Sequence, residues 1–232
     1  MATFALIPAA GSGSRMNGGL RGPAPKQYLA LAGKPMLWHA VRALCVPQVA
    51  AVFVVLGAND EHFARQDWSA FEGKLNPLYC GGATRRDSVL NGLVASGNVV
   101  DPDDWMLVHD AARPCLPQAD LRRLLEEGAN DTVGAILALP VADTVKTAAK
   151  DEGGVQRIAA TQDRSQLWLA QTPQMFRAGM LAQALSQAPG ATDEASAIEK
   201  MGLRPRLVLG SRQNLKVTYP EDVAIAEAML KS

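Results

Sequence analysis

No aspartate or glutamate occurs before Asp60, although Arg15, Arg21, Lys26 and Lys34 all precede it. Such a stretch has fixed positive charge and no local carboxylate to absorb it, so an anion is the expected partner. Cysteine is scarce. Cys45, Cys80 and Cys115 are odd in number and have no metal-like spacing, which excludes a disulfide framework and predicts buried thiols in a reducing compartment. His39, His62 and His109 stand far apart, without an HxxxH or HExxH pairing, which removes the usual zinc site. No basic leader precedes the short apolar run at the N-terminus, and no window approaches the roughly 18 apolar residues of a membrane span, so a cytoplasmic protein without a membrane partner is expected. Neither sign of charge is in excess: 23 basic residues balance 23 acidic ones, leaving no global field to draw nucleic acid. There is no internal repeat and no low-complexity tract.

What remains is an ordinary globular composition. At 232 residues and 48% hydrophobic content, the chain can bury a sizeable core, and one domain over residues 1–232 is expected. Its start is the most specific part. The apolar run Phe4-Ala5-Leu6-Ile7 breaks into PAAGSGSRM, and PKQYL follows. Gly11 and Gly13 let backbone N–H groups approach a ligand closely, and clustered N–H groups form an anion-binding concavity. A phosphate chain is the expected ligand. The loop is not a Walker A motif, because no Gly-Lys-Ser/Thr closes it, and it is not a dinucleotide fingerprint, because Met16 replaces the third glycine. A plain surface turn would use the same Gly, Ser and Pro residues.

Short apolar runs alternate with helical patterns along the chain. Strands are predicted at 4–7, 51–56, 75–80, 105–109, 133–139 and 206–209, and helices at 35–44, 84–95, 118–127, 177–186, 193–201 and 220–230. Continuous apolarity marks strands buried on both faces. The alternation gives a mostly parallel sheet covered by helices, with ligands at the carboxyl ends of its strands. Residues 140–164 interrupt it: they are polar, have Glu-Gly-Gly near the centre and β-compatible flanks, and predict a projecting hairpin. A mobile insertion and an arm packed on a second copy of the chain both account for it.

Several positions could carry chemistry. Asp110 follows the strand WMLVH, where a carboxylate beside a phosphate site makes sense if a divalent cation lies between them; taken by itself, an ion pair with Arg113 is the simpler account, because structural ion pairs are common. Lys216 precedes the last helix, in NLKVTYPEDV, and could reach the same crevice. Glu221 and Asp222 are accounted for by the helix dipole, with Pro220 at the helix start. In GGATRRDSV, Gly81 and Gly82 permit close approach of a base or ribose and Ser88 offers a hydroxyl, although a glycine turn into a helix reads the same way. Thr192, in ATDEASAIE, is expected first of all to cap a helix.

Taken in order over the whole chain, PAAGSGSRM, PKQYL, GGATRRDSV, HDAARP, PVADTVK, QTPQMF, TDEASAIE and NLKVTYPEDV resemble the methylerythritol phosphate cytidylyltransferase family. The chain ends one helix beyond the last motif, so the resemblance is to the single-function form. NGGLRGPA, after Met16, is the least family-like piece. The resemblance implies an α/β fold, a Rossmann-like nucleotidyltransferase three-layer sandwich with a mostly parallel sheet and a projecting β-arm at 140–164. It implies transfer of CMP from CTP to methylerythritol phosphate in non-mevalonate isoprenoid synthesis, with Mg²⁺ as cofactor.

It also implies roles for residues. Arg15, Lys26 and Lys216 would act at the reacting phosphates; Pro8, Ala9, Ala10 and Gly11 would surround the triphosphate; Gly81, Gly82, Ser88 and Ala111 would surround cytidine. Asp110 would orient substrate or assist the metal. Thr144 and Arg164 would hold the sugar phosphate of a neighbouring subunit in a homodimer, and Thr172 and Thr192 match further substrate-side positions. The alternative within the same fold is a cytidylyltransferase for ribitol phosphate or another sugar phosphate. A nucleotide-binding regulator would not require Arg15, Lys26, Asp110 and Lys216 together.

Overall fold

The computed structural model describes residues 1–11 and 25–231. Strand β1 (Thr3–Pro8) leads towards the loop, and a short 3₁₀ turn (Lys26–Tyr28) precedes the two-residue strands β2 (Ala30–Leu31) and β3 (Lys34–Pro35). Then come α1 (Met36–Leu44), β4 (Val52–Val55), β5 (Leu75–Leu78), α2 (Arg85–Ala95), β6 (Trp105–Val108), α3 (Gln118–Ala129) and β7 (Ala135–Pro140). The hairpin β8 (Val145–Lys150) and β9 (Gln156–Gln162) follows, then β10 (Trp168–Arg177), α4 (Ala178–Gln187), α5 (Glu194–Lys200), β11 (Arg206–Leu209) and α6 (Glu221–Lys231).

The main sheet runs in the order β11-β7-β10-β6-β1-β4-β5. All neighbours are parallel except β10, which is antiparallel to both β6 and β7. Strands β4 and β6, and β1 from Phe4 onward, are apolar at every position because both their faces are covered. Ala5, Ile7, Val54 and Leu107 point to one side, where Leu37, Val41 and Leu44 of α1 and Leu121 and Leu124 of α3 pack. Phe4, Leu6, Val55 and Met106 point to the other, against Val89 of α2, Leu181 and Leu185 of α4 and Ile198 of α5. The result is a three-layer α/β sandwich. α6 closes a smaller cluster in which Ala226 and Val217 meet Leu31 and Met36.

Two features differ from the sequence expectation. No strand is expected where β10 runs, and Arg177, expected to open a helix, is instead the last residue of that strand. In addition, the α5 cap is Asp193 rather than Thr192: the Asp193 side chain accepts from Ser196 N–H, and the Ser196 hydroxyl accepts in return from Asp193 N–H. The side-chain carboxylate is the stronger acceptor at this position, so the threonine is displaced one residue outward. The segment 140–164 does form a hairpin, with β8 and β9 pairing only with each other and turning at 151–155, where Gly154 has φ +80°. The three thiols are half-buried rather than buried, and none is in a disulfide.

Candidate active site

The carboxyl ends of β1 and β6, the loop before α2 and the segment leading to α6 converge on one cleft of about 500 Å³, a volume suited to a nucleotide-sized ligand. Of the residues singled out in the sequence, Pro8, Ala9, Ala10, Gly11, Lys26, Gly82, Ser88, Asp110, Ala111 and Lys216 line it. Arg15 lies outside the described residues, as do Gly13 and Arg21. Lys34 is elsewhere, over the Trp38 ring and 3.5 Å from Asp67.

The wall of the cleft is tied together by backbone. Ala9 N–H donates to Val55 C=O at 2.8 Å, and Gln27 donates through Nε2 to Ala9 C=O at 2.6 Å, so PKQYL fastens the chain where it leaves β1. The N–H of Ala9 is therefore committed to the sheet, and Ala9 serves as wall. Gly81 does not line the cleft but stands behind Ala10, where it donates to Leu56 C=O at 2.8 Å. Gly82 N–H donates to Ser88 Oγ at 3.0 Å, and that hydroxyl donates onward to Thr84 C=O. Ser88 thus shapes the glycine turn and has only a lone pair left for a ligand. The Lys26 ammonium donates to Val217 C=O, while Val217 N–H donates to Ala112 C=O at 2.8 Å; these bonds stitch NLKVTYPEDV to HDAARP.

Asp110 is the electrostatic centre. Lys216 Nζ lies 2.6 Å from its Oδ2 and Arg85 Nε lies 2.9 Å from its Oδ1, whereas Arg113 Nε is 3.9 Å from Oδ2. The expected Asp110–Arg113 pair is therefore the weakest of three, and Arg113 instead donates to Asn214 C=O at 2.6 Å. Burial alone would raise the Asp110 carboxyl; the Arg85 and Lys216 charges overcome that and hold it well below the usual carboxylate range. Behind it runs a short relay. Asp110 N–H donates to Thr172 Oγ1 at 3.0 Å, Thr172 donates to His109 Nδ1 at 3.0 Å, and His109 Nε2 donates to Arg113 C=O at 3.1 Å. The carbonyl can only accept, which fixes the proton on Nε2. Complete burial pushes the His109 pKa down to about 4, so the ring is neutral at pH 7. Thr172 is buried in this relay and supports Asp110 from behind rather than lining the cleft.

Thr144, Arg164 and Thr192 also lie outside the cleft lining, on exposed positions. Val145 pairs with Gln162, which puts Thr144 and Arg164 at the same end of the hairpin, its base. Two participants were missed in the sequence. Arg85 lines the cleft, and its Nη1 and Nη2 donate at 2.7 and 3.1 Å to Glu194, a fully buried carboxylate. A signal was available: Arg85 opens a helix, where the dipole disfavours a cation, so an unusual anionic partner had to exist.

Among the described residues no group of three or more His, Cys, Asp or Glu could hold a metal ion. Among the described residues that line the cleft, Asp110 is the one carboxylate, with both oxygens already accepting from cations and each keeping a further lone pair. That suits Mg²⁺, which binds through one or two carboxylates and takes its remaining ligands from water and substrate phosphates.

The sequence profile described as 2-C-methyl-D-erythritol 4-phosphate cytidylyltransferase matches residues 3–232. The chain belongs to this family. Proteins of that name from Nitrosospira multiformis and Azoarcus sp. are 55% and 54% identical to it, each over 99% of this chain and over 97% and 94% of their own lengths. Among solved structures, a 4-diphosphocytidyl-2C-methyl-D-erythritol synthase superposes with a TM-score of 0.83 at 40% identity, over 99% of both chains. The Thermus thermophilus cytidylyltransferase gives 0.78 at 30% identity, over the whole of both. The α/β expectation and the family resemblance read from the motifs agree with these relationships.

Proposed function

We propose that this cleft carries the cytidylyl transfer of the family, from CTP to 2-C-methyl-D-erythritol 4-phosphate, giving 4-diphosphocytidyl-2-C-methyl-D-erythritol and pyrophosphate for isoprenoid synthesis. The observation that carries the reading is the meeting of Pro8, Ala9, Ala10 and Gly11 with Lys26, Lys216 and a buried, ionised Asp110 in one nucleotide-sized space. The attacking phosphate monoester is already anionic, so no strong general base is required. The difficulty is to bring anions together and stabilise charge as the α-phosphorus is attacked and pyrophosphate leaves.

The chain's residues divide that work. Pro8, Ala10 and Gly11 border the triphosphate, with Ala9 as wall, while Gly82, Ser88 and Ala111 enclose cytidine and Gly81 supports them from behind Ala10. Lys26, Lys216 and Arg15 place positive charge at the reacting phosphates, Arg as a planar fork and Lys as a point charge. Asp110 holds Lys216 in place and would hold Mg²⁺, which when bound would neutralise triphosphate oxygens and orient them for in-line displacement. Thr172 fixes the Asp110 backbone.

We assign Thr144 and Arg164 to the sugar phosphate of a second copy. The hairpin strands are exposed throughout, apart from Val145 at the base; Ile158, towards the turn, is 70% exposed, and Leu167, Trp168 and Leu169, which follow the base, are exposed as well, Leu169 at 58%. An apolar arm on a polar hairpin suits packing against another copy, and a homodimer would carry the two base residues to the partner's cleft. Thr192, exposed ahead of α5, is a more distant substrate-side position. Three scattered free thiols favour the cytoplasm.

The test is pyrophosphate release with Mg²⁺, CTP and methylerythritol phosphate, run beside ribitol phosphate and beside ATP, GTP and UTP, and repeated after chelation. Release confined to CTP with methylerythritol phosphate, lost on chelation, is expected. Preference for ribitol phosphate would move the enzyme to another pathway, and release without a divalent ion would remove Mg²⁺ from the scheme.

A further inference from the structure

Glu194 touches neither the cleft nor any residue assigned to substrate, yet its carboxylate is fully buried and spends both oxygens on one side chain. Arg85 meets it end-on through Nη1 and Nη2, which fixes the plane of the guanidinium and leaves Nε, on the side edge, for Asp110 Oδ1 at 2.9 Å. Asp110 Oδ2 is thereby left to Lys216 at 2.6 Å. The preference of a guanidinium for bidentate pairing with a carboxylate makes this division conditional. Without the negative charge on Glu194, the best remaining bidentate partner for Arg85 is Asp110 itself, and both Asp110 oxygens would turn to Arg85 at the expense of Lys216.

We infer that Glu194 is a positioning residue: by occupying the end of the Arg85 fork it reserves one oxygen of Asp110 for Lys216 and so keeps the Lys216 ammonium at the cleft. The sequence places this control far from the chemistry, since Glu194 lies at the start of α5 while Asp110 follows β6. The start of α5 is held to the sheet independently: Gln174 of β10 accepts from Ala195 N–H at 2.8 Å and donates to Asp193 at 2.9 Å, so the carboxylate is presented from a fixed frame. Nothing in the arrangement requires Glu194 to meet a ligand. Its effect runs through two ion pairs, Glu194 to Arg85 and Arg85 to Asp110, and ends on the lysine.

This inference rests on the cytidylyl-transfer reading, because that reaction is the readout, and the wild-type chain tests that reading separately. If wild type releases no pyrophosphate from CTP and methylerythritol phosphate, the functional reading fails; if wild type is active, the following arms judge Glu194. Glu194→Gln keeps the volume and removes the charge. Its kcat is expected to fall about tenfold or more with the KM for CTP within about threefold, since the nucleotide loop is untouched. A purely structural role would instead lower thermal stability and leave the kinetics of the folded fraction alone.

The second readout is a cycle with Lys216→Ala, a residue Glu194 does not touch. If Glu194 acts through Lys216, adding Glu194→Gln to Lys216→Ala lowers the residual rate by no more than about twofold, whereas independent effects would multiply. Should Glu194→Gln not fold, Glu194→Asp and Arg85→Lys carry the same cycle, each keeping the charge while breaking the two-point fork. A folded Glu194→Gln enzyme with wild-type kcat, or losses that multiply with Lys216→Ala, would overturn the inference.

Discussion

The glycine turn behind the cleft makes a sharp prediction because its space is closed by atoms that cannot move independently. A Cβ built on Gly81 would stand 2.3 Å from Ala10 Cβ and 2.8 Å from Leu56 O. Ordinary contact begins at 3.4 Å, about an ångström beyond the first distance and about half an ångström beyond the second. Leu56 O cannot withdraw, since it accepts from Gly81 N–H itself at 2.8 Å, and Leu56 N–H is in turn bonded to Leu78 C=O. The strain must therefore fall on Ala10, which lines the cleft. Overpacking of this kind costs about 1–3 kcal/mol, and a cost of about 2 kcal/mol lowers the Tm of a domain this size by about 4–8 °C. The loop displacement should also raise the KM for CTP more than it lowers kcat, because the wall moves and the cations do not. Thermal unfolding and steady-state kinetics of Gly81→Ala measure both. The double variant Gly81→Ala with Ala10→Gly removes the worst contact and should recover part of the loss in each assay. A Gly81→Ala protein with wild-type Tm and wild-type CTP affinity would refute the reasoning, as would a double variant no better than the single one.

Lys26→Ala and Arg15→Ala should each lower kcat by about 10²–10³-fold, the usual loss for one preorganised charge-stabilising donor; circular dichroism and Tm check that the fold persists. Arg164→Glu should raise the KM for the sugar phosphate and leave that for CTP unchanged, and weakening of CTP alone would remove the arm from the substrate site. Folding stability should fall with acidity through a window set by His109. Its folded pKa, near 4, lies below its usual 6.5 because burial disfavours the imidazolium, so the unfolded chain takes the proton first. The contribution is complete above about pH 6.5, shrinks as pH drops towards 4 and totals on the order of 3 kcal/mol. Denaturant titrations at pH 7, 6 and 5 should show the slope, and His109→Gln should flatten it; an unchanged slope in that variant would assign the acid sensitivity elsewhere.

The periodicity of the sequence made most of the fold legible, because strands buried on two faces are continuous in apolarity and the helices between them are not. The strand β10 escaped for a physical reason. Gln171, Thr172, Pro173 and Gln174 read as a polar break, and a proline argues against an interior strand. The structure accommodates them through a shift in the β10–β7 register between Ala170 and Gln174, and it buries the polar side chains in bonds of their own. Thr172 reaches Asp110 and His109, Gln174 holds the start of α5, and Gln171 donates to Ser211 C=O at 3.0 Å. Side chains that look like loop in the sequence are here the internal fastenings of the site, and pattern alone cannot tell a polar residue facing water from one facing another polar residue.

The same limit explains which site residues were found. Residues marked by an unusual local composition, such as the glycine loop, Lys26, Asp110 and Lys216, could be picked out one at a time. The absence of acids before Asp60 suggested that every early cation was unpaired, and this was too simple: Asp67 lies 3.5 Å from Lys34, so a charge that is uncompensated along the chain is compensated in space. Arg85 and Glu194 show the converse. Glu194 is unremarkable beside its sequence neighbours, Arg85 is marked only by its place at a helix start, and the two are separated by the whole of β6 to α4. Only the crossing of the sheet brings them together. A buried carboxylate is costly unless paired, and a helix-opening arginine is disfavoured unless it faces an anion. Each residue is thus the condition for the other, and the pair exists to serve a third: with one edge of its guanidinium taken by Glu194, Arg85 has a single donor aimed at Asp110, and Asp110 keeps an oxygen for Lys216.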